Sequence, residues 1–359
     1  MKKLVCFLTC VIVCFFAQSC ANQTKFSTNV FCFNTSVRIE VYSKPLSNEL
    51  DKQIHDLLLT LDEQLSLSKD NCVSSFNNAG KNQPVQFSDV AFSLLKKAVS
   101  YNELTGGLFD VTVYPLVSLW GLDNRYPVES FTPPNSDAIQ QALSFVGCEY
   151  IELNEQDKTV TKLNSNVKID FGGMAKGYAV QLVKELLLNN GYLDGYINVG
   201  GSSLHILSLK NQNNYLGVRH PRNTSSAILN LHSNVINGKS VSTSGDYNRY
   251  YEFDGNRYSH LINPLTGAPS NTGVISATIL GEDACLLDAL STALFFIEHD
   301  PVDTNSSPLV SFAKNLCENY SNFSVVIVYQ KGEHKQIITN RTLTDFTLFD
   351  QTYSVISIN

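Results

Sequence analysis

KIDFGGMAKGYAVQLVKELLLNNGYLDGYINVGG, residues 168–201, is the stretch around which the rest of the chain arranges itself. An alternating apolar run, 167–171, reaches Gly172 and Gly173. A helical pattern starts at once: Ala175, Tyr178 or Ala179, Leu182, Leu186 and Leu187 recur at three- and four-residue spacings. Asn190-Gly191 closes it, glycine being suited to the left-handed residue past a helix end. A second apolar run, 196–199, ends in Gly200-Gly201. The unit is strand, glycine turn, helix, strand, glycine turn. Glycines let the backbone approach a ligand closely. The first turn of a helix offers unpaired N–H groups and positive potential to phosphate, to which Lys176 adds a charge. Gly-Gly before a helix is equally a tight connection, and the local pattern leaves both readings open.

The chain has 359 residues, enough for one large domain or two ordinary ones. Its net charge of −7, without a basic block, argues against nucleic acid as a partner, since neutralising phosphates takes clustered Lys and Arg. Residues 1–19 read as a secretory signal: Lys2-Lys3, then an apolar run from 4 to 17 that is short for a membrane span. Ala17-Gln18-Ser19-Cys20 resembles a bacterial lipobox. Cleavage there leaves Cys20 lipidated and the protein exported, anchored on the outer (periplasmic) face of the cytoplasmic membrane. A plain signal peptide or an uncleaved anchor is the alternative. Residues 20–29 read as a polar tether and 30–359 as one catalytic domain. Cys32, Cys72, Cys148, Cys285 and Cys317 are scattered, odd in number and form no CxxC, so neither a zinc site nor a disulfide framework is indicated.

Residues 30–42 alternate as a strand, 46–65 form an amphipathic helix, 88–103 a second helix that Ser88 would cap, and 133–145 a short one. Two strands flank the turn at Glu155-Gln156-Asp157. Strand-like runs follow at 203–209, 215–218, 227–231 and 274–280, then an apolar helix at 283–298 and a closing hairpin at 325–329 and 334–339. Asp254-Gly255 marks a further hairpin, which returns into His260 and a turn at 263–267. Helices and hairpins mixed in this way predict an α+β fold.

Some positions stand out for chemistry. Asp110 lies in an apolar run, where an unpaired carboxylate is costly, and serves either a turn or a ligand. His260 ends a strand beside a polar loop and is either structural or catalytic. Asp288 and Thr292 lie one turn apart on one helical face, and two hard oxygens there suit Mg²⁺. The bland alternative is Thr292 bonding back to the Asp288 carbonyl.

Four blocks then carry a resemblance to the ApbE family, the FAD:protein FMN transferases. GGLFDVTV (106–113) with Pro115-Leu116-Val117 and Leu119-Trp120-Gly121 is similar to the family's G-x-F-D-x-T-V-x-P-L-x-x-L-W-G. DFGGMAKGYA (170–179) resembles D-L-G-G-I-A-K-G-Y-A, and Asn198-Val199-Gly200-Gly201 the N-x-G-G after it. STSGDY (242–247), with SHLINP (259–264) and Thr266-Gly267, resembles S-T-S-G-D-Y and S-H-I-I-D-P-x-T-G. DALSTAL (288–294) is similar to D-A-L-A-T-A-L.

The resemblance covers residues 33 to about 296. It implies a single catalytic domain with a T-fold-like core and a reaction in which FAD is bound with Mg²⁺. The FMN moiety passes to a Thr or Ser hydroxyl of a target protein and AMP leaves. By matching position, the family's metal ligands fall on Asp288, Thr292 and the Gly173 carbonyl, and its FAD contacts on Asp110, Lys176 and Ile262. Phe33 stands near the isoalloxazine, where many members have Met-Gly-Thr, and residues 73–77 resemble a flavin-side segment. His260 matches the family's histidine, the candidate for proton transfer. Asn263 replaces the usual Asp, Ser202 stands where Asp is frequent, and Phe33-Asn34 depart from Met-Gly. The implied partner is an acceptor protein of a membrane electron-transport complex (NqrB/NqrC- or RnfG/RnfD-like) with a Ser/Thr-Gly-Ala-Thr-type motif. The same residues would serve an FAD pyrophosphatase giving FMN and AMP. A non-catalytic flavin-binding lipoprotein is the third reading, against which His260, Asp288 and Thr292 together weigh.

Overall fold

The computed structural model describes residues 25–42, 44–123, 131–209, 214–320 and 322–358. The signal segment and Cys20 lie outside them. Strands β1 (Phe26–Cys32) and β2 (Thr35–Val41) open the chain as a hairpin, in register from Phe26↔Val41 to Cys32↔Thr35. The single strand expected over 30–42 is therefore two, and residues 26–29 belong to the sheet rather than to the tether. The turn hid from the pattern because it contains no glycine. Phe33 (φ 51°) and Asn34 (φ 54°) both take the left-handed conformation of a two-residue hairpin turn. The Phe33 N–H is held by Asp62 Oδ1 at 3.0 Å.

Helix α1 (Asn48–Leu65), capped by Ser47, buries Leu50, Ile54, Leu58, Leu61 and Leu65 on one stripe. Each such side chain contributes about 1.5–3 kcal/mol on burial. Helix α2 (Cys72–Asn78), strand β3 (Pro84–Gln86) and helix α3 (Asp89–Leu104), capped by Ser88, follow. Helices α4 (Tyr114–Leu119) and α5 (Ser136–Leu143) precede strands β4 (Ile151–Asn154) and β5 (Thr159–Lys162). Residues 167–171 are not the regular strand expected: Lys168 makes an isolated bridge to Val113, and the Asp170 N–H donates to Val111 O (2.8 Å). Helix α6 (Ala175–Asn189) and strand β6 (Gly195–Val199) form as the pattern predicts.

Strands β7 (Ser203–Ser208), β8 (Tyr215–Arg219) and β9 (Ala227–His232) lead through α7 (Ser233–Ile236) to β10 (Ser240–Gly245). The Asp254-Gly255 hairpin is β11 (Tyr250–Phe253) with β12 (Asn256–Ser259). Strand β13 (Val274–Gly281) precedes α8 (Ala284–Ala293), shorter than expected because residues 294–296 tighten into a 3₁₀ turn. Helix α9 (Pro308–Asn319), for which the sequence raised no expectation, leads to β14 (Ser324–Lys331), β15 (His334–Thr339), β16 (Phe346–Leu348) and β17 (Ser354–Ser357).

Among the described residues the main sheet has nine strands in the order β1-β2-β6-β7-β10-β13-β14-β15-β17, with only the β15–β17 pair parallel. Both faces are covered. Val325 and Ile327 of β14 point to the helical face with α1, α3, α6, α8 and α9, whereas Val326 and Val328 point to the small sheet β16-β9-β8. Successive residues of a strand face opposite sides, so a strand covered on both sides reads as a continuous apolar run. A third small core joins Leu116, Trp120, Phe131, Tyr251 and Ile262. Trp120 Nε1 donates to Gly267 O (2.8 Å) and the Tyr251 hydroxyl to Gly121 O (2.9 Å), which ties the β11–β12 hairpin down. The architecture is α+β.

Candidate functional site

The site forms where α6 begins. A short connection, 190–194, turns the chain back along α6, so the Gly200 end of β6 lies beside that helix's first turn. Helix α6 has no side-chain cap of its own. The cap comes from α8: Asp288 Oδ2 accepts from the Gly177 N–H (2.8 Å), in the first turn of α6. Asp288 Oδ1 accepts from Ser203 Oγ (2.8 Å) and from Ser242 Oγ. A buried carboxylate needs such donors, and a helix N-terminus favours its charge. Glycine at 177 makes the approach possible, because a Cβ there would lie 2.2 Å from Ala284 O and 3.0 Å from Asp288 Cβ. Gly177→Ala is therefore expected to cost about 1–3 kcal/mol or more through overpacking. Denaturant unfolding checks this, and a variant as stable as the parent would refute the close-packing account.

Thr292 Oγ1 donates to Asp288 O (3.2 Å), the back-bond raised by the sequence, and lies 3.3 Å from Ser244 Oγ. Its lone pairs stay available. Gly173 packs against Phe109, whose Cε2 would lie 3.1 Å from a Cβ at that position, so the 106–113 and 170–179 blocks meet there. Asp288, Thr292 and the Gly173 carbonyl offer hard oxygens with one formal charge. Among the described residues no three His, Cys, Asp or Glu side chains converge on one point. A cation held here would draw on hydroxyl, carbonyl and substrate oxygens, a donor set that fits Mg²⁺ and not Zn²⁺.

His260 follows β12. Its N–H donates to Arg249 O (3.0 Å), and its Nδ1 lies 3.1 Å from the same carbonyl. A carbonyl can only accept, so Nδ1 carries the proton and Nε2 keeps a lone pair. Burial, reinforced by the Arg249 and Lys176 charges, pushes the imidazole down to about 4. It is neutral at physiological pH. Asp170 shares these neighbours. Its Oδ1 accepts from the Gly172 N–H (2.8 Å), and its enclosure pushes the carboxyl up, partly offset by that bond, Lys176 and Arg249. Lys176 Nζ reaches Gly172 O at 3.3 Å. Asp170, Lys176, Arg249 and His260 thus form one electrostatic cluster at the start of α6.

The remaining expected residues sit differently. Asp110 is buried, and its carboxylate points into the protein. Its Oδ1 accepts from Thr112 N (2.7 Å), Thr112 Oγ1 (2.6 Å) and Cys148 Sγ (3.5 Å), and its Oδ2 from Asn102 Nδ2 (3.0 Å). Burial pushes this carboxyl up against the pull of the Thr112 bonds. The Thr112 bonds are the contacts that the turn reading of Asp110 calls for. The Ile262 side chain is buried in the third core, which leaves its backbone for any ligand. Phe33 sits on the β1–β2 turn, which reaches the Gly200-Gly201 end because β2 pairs with β6 and Thr35 packs on Gly200. Arg249, Ser203 and Ser242 escaped the sequence reading as site residues, as did Asp170, which it quoted only within a motif. Arg249 lies in an aperiodic loop, and strand serines carry no signal of what they face.

A glycine-opened helix start, capped by a buried carboxylate, thus meets two cations and a neutral imidazole on an α+β scaffold. The chain belongs to the ApbE family, whose profile matches residues 33–303. It is similar to the FAD:protein FMN transferase of Vibrio cholerae, with 28% identity over 282 residues, 76% of this chain and 80% of that protein. The FAD:protein FMN transferase of Haemophilus influenzae is 29% identical over 84% of this chain and 89% of that protein. Among solved structures, the ApbE protein of Thermotoga maritima superposes with a TM-score of 0.72 at 30% identity, covering 85% of this chain and 94% of that one. The flavin transferase ApbE of Vibrio cholerae has the same fold, with a TM-score of 0.74 at 23% identity over 90% and 99% of the two chains.

Proposed function

We propose that this protein transfers the FMN moiety of FAD to a Ser or Thr hydroxyl of another protein. The observation that carries the reading is His260, a neutral imidazole with its Nε2 lone pair available, placed among cations at a glycine-opened helix start. The incoming hydroxyl oxygen bonds the FMN phosphorus, its proton passes to Nε2, and the bond from that phosphorus to the bridging oxygen breaks, releasing AMP. Lys176 and Arg249, with the positive potential at the start of α6, hold the diphosphate and offset its charge. Asp288, Thr292 and the Gly173 carbonyl would hold a Mg²⁺, which supplies further neutralisation of phosphate charge. Catalysis rests chiefly on positioning, as in other phosphoryl transfers.

Mixing the full chain in detergent with FAD, Mg²⁺ and an acceptor protein bearing a Ser/Thr-Gly-Ala-Thr-type motif tests this. AMP together with fluorescent, covalently labelled acceptor is the expected result. AMP with free FMN and unlabelled acceptor would instead make the protein a pyrophosphatase, with water in place of the hydroxyl. FAD binding without either product would leave a flavin-binding lipoprotein. The leader supports export and a lipid anchor at Cys20, which suits an acceptor in a membrane electron-transport complex. Among the described residues no helix is long and apolar enough to cross a membrane. Cys20→Ala should move the protein from the membrane to the soluble fraction; retention in the membrane would favour an uncleaved anchor.

A further inference from the structure

Lys162, the last residue of β5, is 0% exposed. Its Nζ donates to Asn77 O (3.3 Å) and reaches Ser165 O (3.5 Å), with the centroid of the Phe76 ring 5.0 Å away. Among the described residues no carboxylate forms an ion pair with it. Burial, together with the charge of Lys168, pushes the ammonium down to about 8. A buried cation without a counter-charge opposes folding, and an apolar side chain of similar length would fill the same space at lower cost.

Its position supplies a reason for keeping it. Asn77 lies in the last turn of α2, so the ammonium holds the carbonyl end of that helix, where a cation is favoured. The Asn77 side chain in turn clamps both backbone groups of Ile169. Its Oδ1 accepts from the Ile169 N–H (2.7 Å), and its Nδ2 donates to the Ile169 carbonyl (2.9 Å). Ile169 directly precedes Asp170 and the Gly172-Gly173 turn. Because residues 167–171 lack a regular strand ladder, side-chain clamps of this kind set their path.

We infer that Lys162 is a positioning residue for the diphosphate-binding turn: its ammonium fixes Asn77, and Asn77 fixes the backbone that presents Gly172, Gly173 and Lys176. The inference rests on the FAD-binding reading of that turn.

The test compares the full-length protein with Lys162→Met, Asn77→Ala and the double variant, reading FAD affinity from flavin fluorescence and Tm from thermal unfolding. Lys162→Met is nearly isosteric and removes the uncompensated charge, so its Tm should equal or exceed that of the parent. Its Kd for FAD should nonetheless rise about tenfold, the order of loss known for groups that orient metal ligands. Asn77→Ala should weaken binding as much or more, and the double variant no further, since both act through one clamp. Amide exchange in residues 167–176 should quicken in Lys162→Met while β13 and β14 stay protected. A Lys162→Met protein that loses stability or fails to fold, or that keeps the parent's Kd, marks the lysine as an ordinary structural residue and overturns the inference. A parent protein that binds no FAD would overturn the reading of the turn, and this inference with it.

Discussion

Asp288→Ala is expected to lower kcat/KM by roughly a thousandfold, about 4 kcal/mol of transition-state stabilisation. Three functions end together. The Gly177 N–H at the start of α6 loses its acceptor, and the Ser203 and Ser242 hydroxyls lose theirs. The one carboxylate of the Asp288–Thr292–Gly173 oxygen set also disappears. The first two losses leave buried donors unpaired, at about 1–3 kcal/mol each, so stability falls as well. Asp288→Asn separates the effects. Its amide oxygen can still accept from the serines, but its NH₂ then faces the Gly177 N–H, donor against donor. Steady-state flavin transfer beside denaturant unfolding provides the measurement. An Asp288→Ala enzyme of full activity would remove this residue from the chemistry.

His260→Ala should retain FAD binding and lose about 10²–10⁴ in kcat, the usual worth of a positioned base. The pH profile is the sharper check. An imidazole pushed down to about 4 is ready to accept a proton throughout the neutral range. The kcat/KM of the parent should therefore fall on the acid side only as pH approaches about 4, not near the ordinary histidine value of about 6.5. Stability follows the same group. Between about 6.5 and 4 the unfolded chain binds a proton that the folded site refuses, so acid erodes the fold across that window. His260→Ala should remove that part of the acid sensitivity. A break near 6.5 in the parent's profile would mean that the ring is freely solvated and that its enclosure is not maintained in solution.

Much of this was open to reading from residue order. Elements whose apolar spacing is strict came through: the stripe of α1, the helix α6 between its glycine turns, and the Asp254-Gly255 hairpin. Local chemistry determines these, because helix caps, turn conformations and one-sided burial leave a signature within a few residues. The four motif blocks also marked Gly173, Lys176, His260, Asp288 and Thr292. The structure brings Gly173 against Phe109, Asp288 onto Gly177, and Lys176 into the field around His260.

Other features needed the fold. The turn at Phe33-Asn34 lacks glycine and is held by Asp62, 29 residues away, so alternation ran straight through it. Residues 167–171 alternate like a strand, yet their partners are an asparagine amide and single backbone contacts rather than a ladder. Asp110 and Asp288 look alike in sequence, each a carboxylate among apolar neighbours. One is enclosed by Thr112, Asn102 and Cys148, and the other caps α6 at the site. Residue order alone determined the elements of strict apolar spacing, such as α1 and α6, and that these carboxylates must find partners, since both follow from local geometry and the cost of burying charge. Which partners they find, which way His260 carries its proton and why Lys162 is buried were decided by tertiary structure. Each depends on donors and acceptors brought together from distant parts of the chain, whose meeting no local spacing encodes.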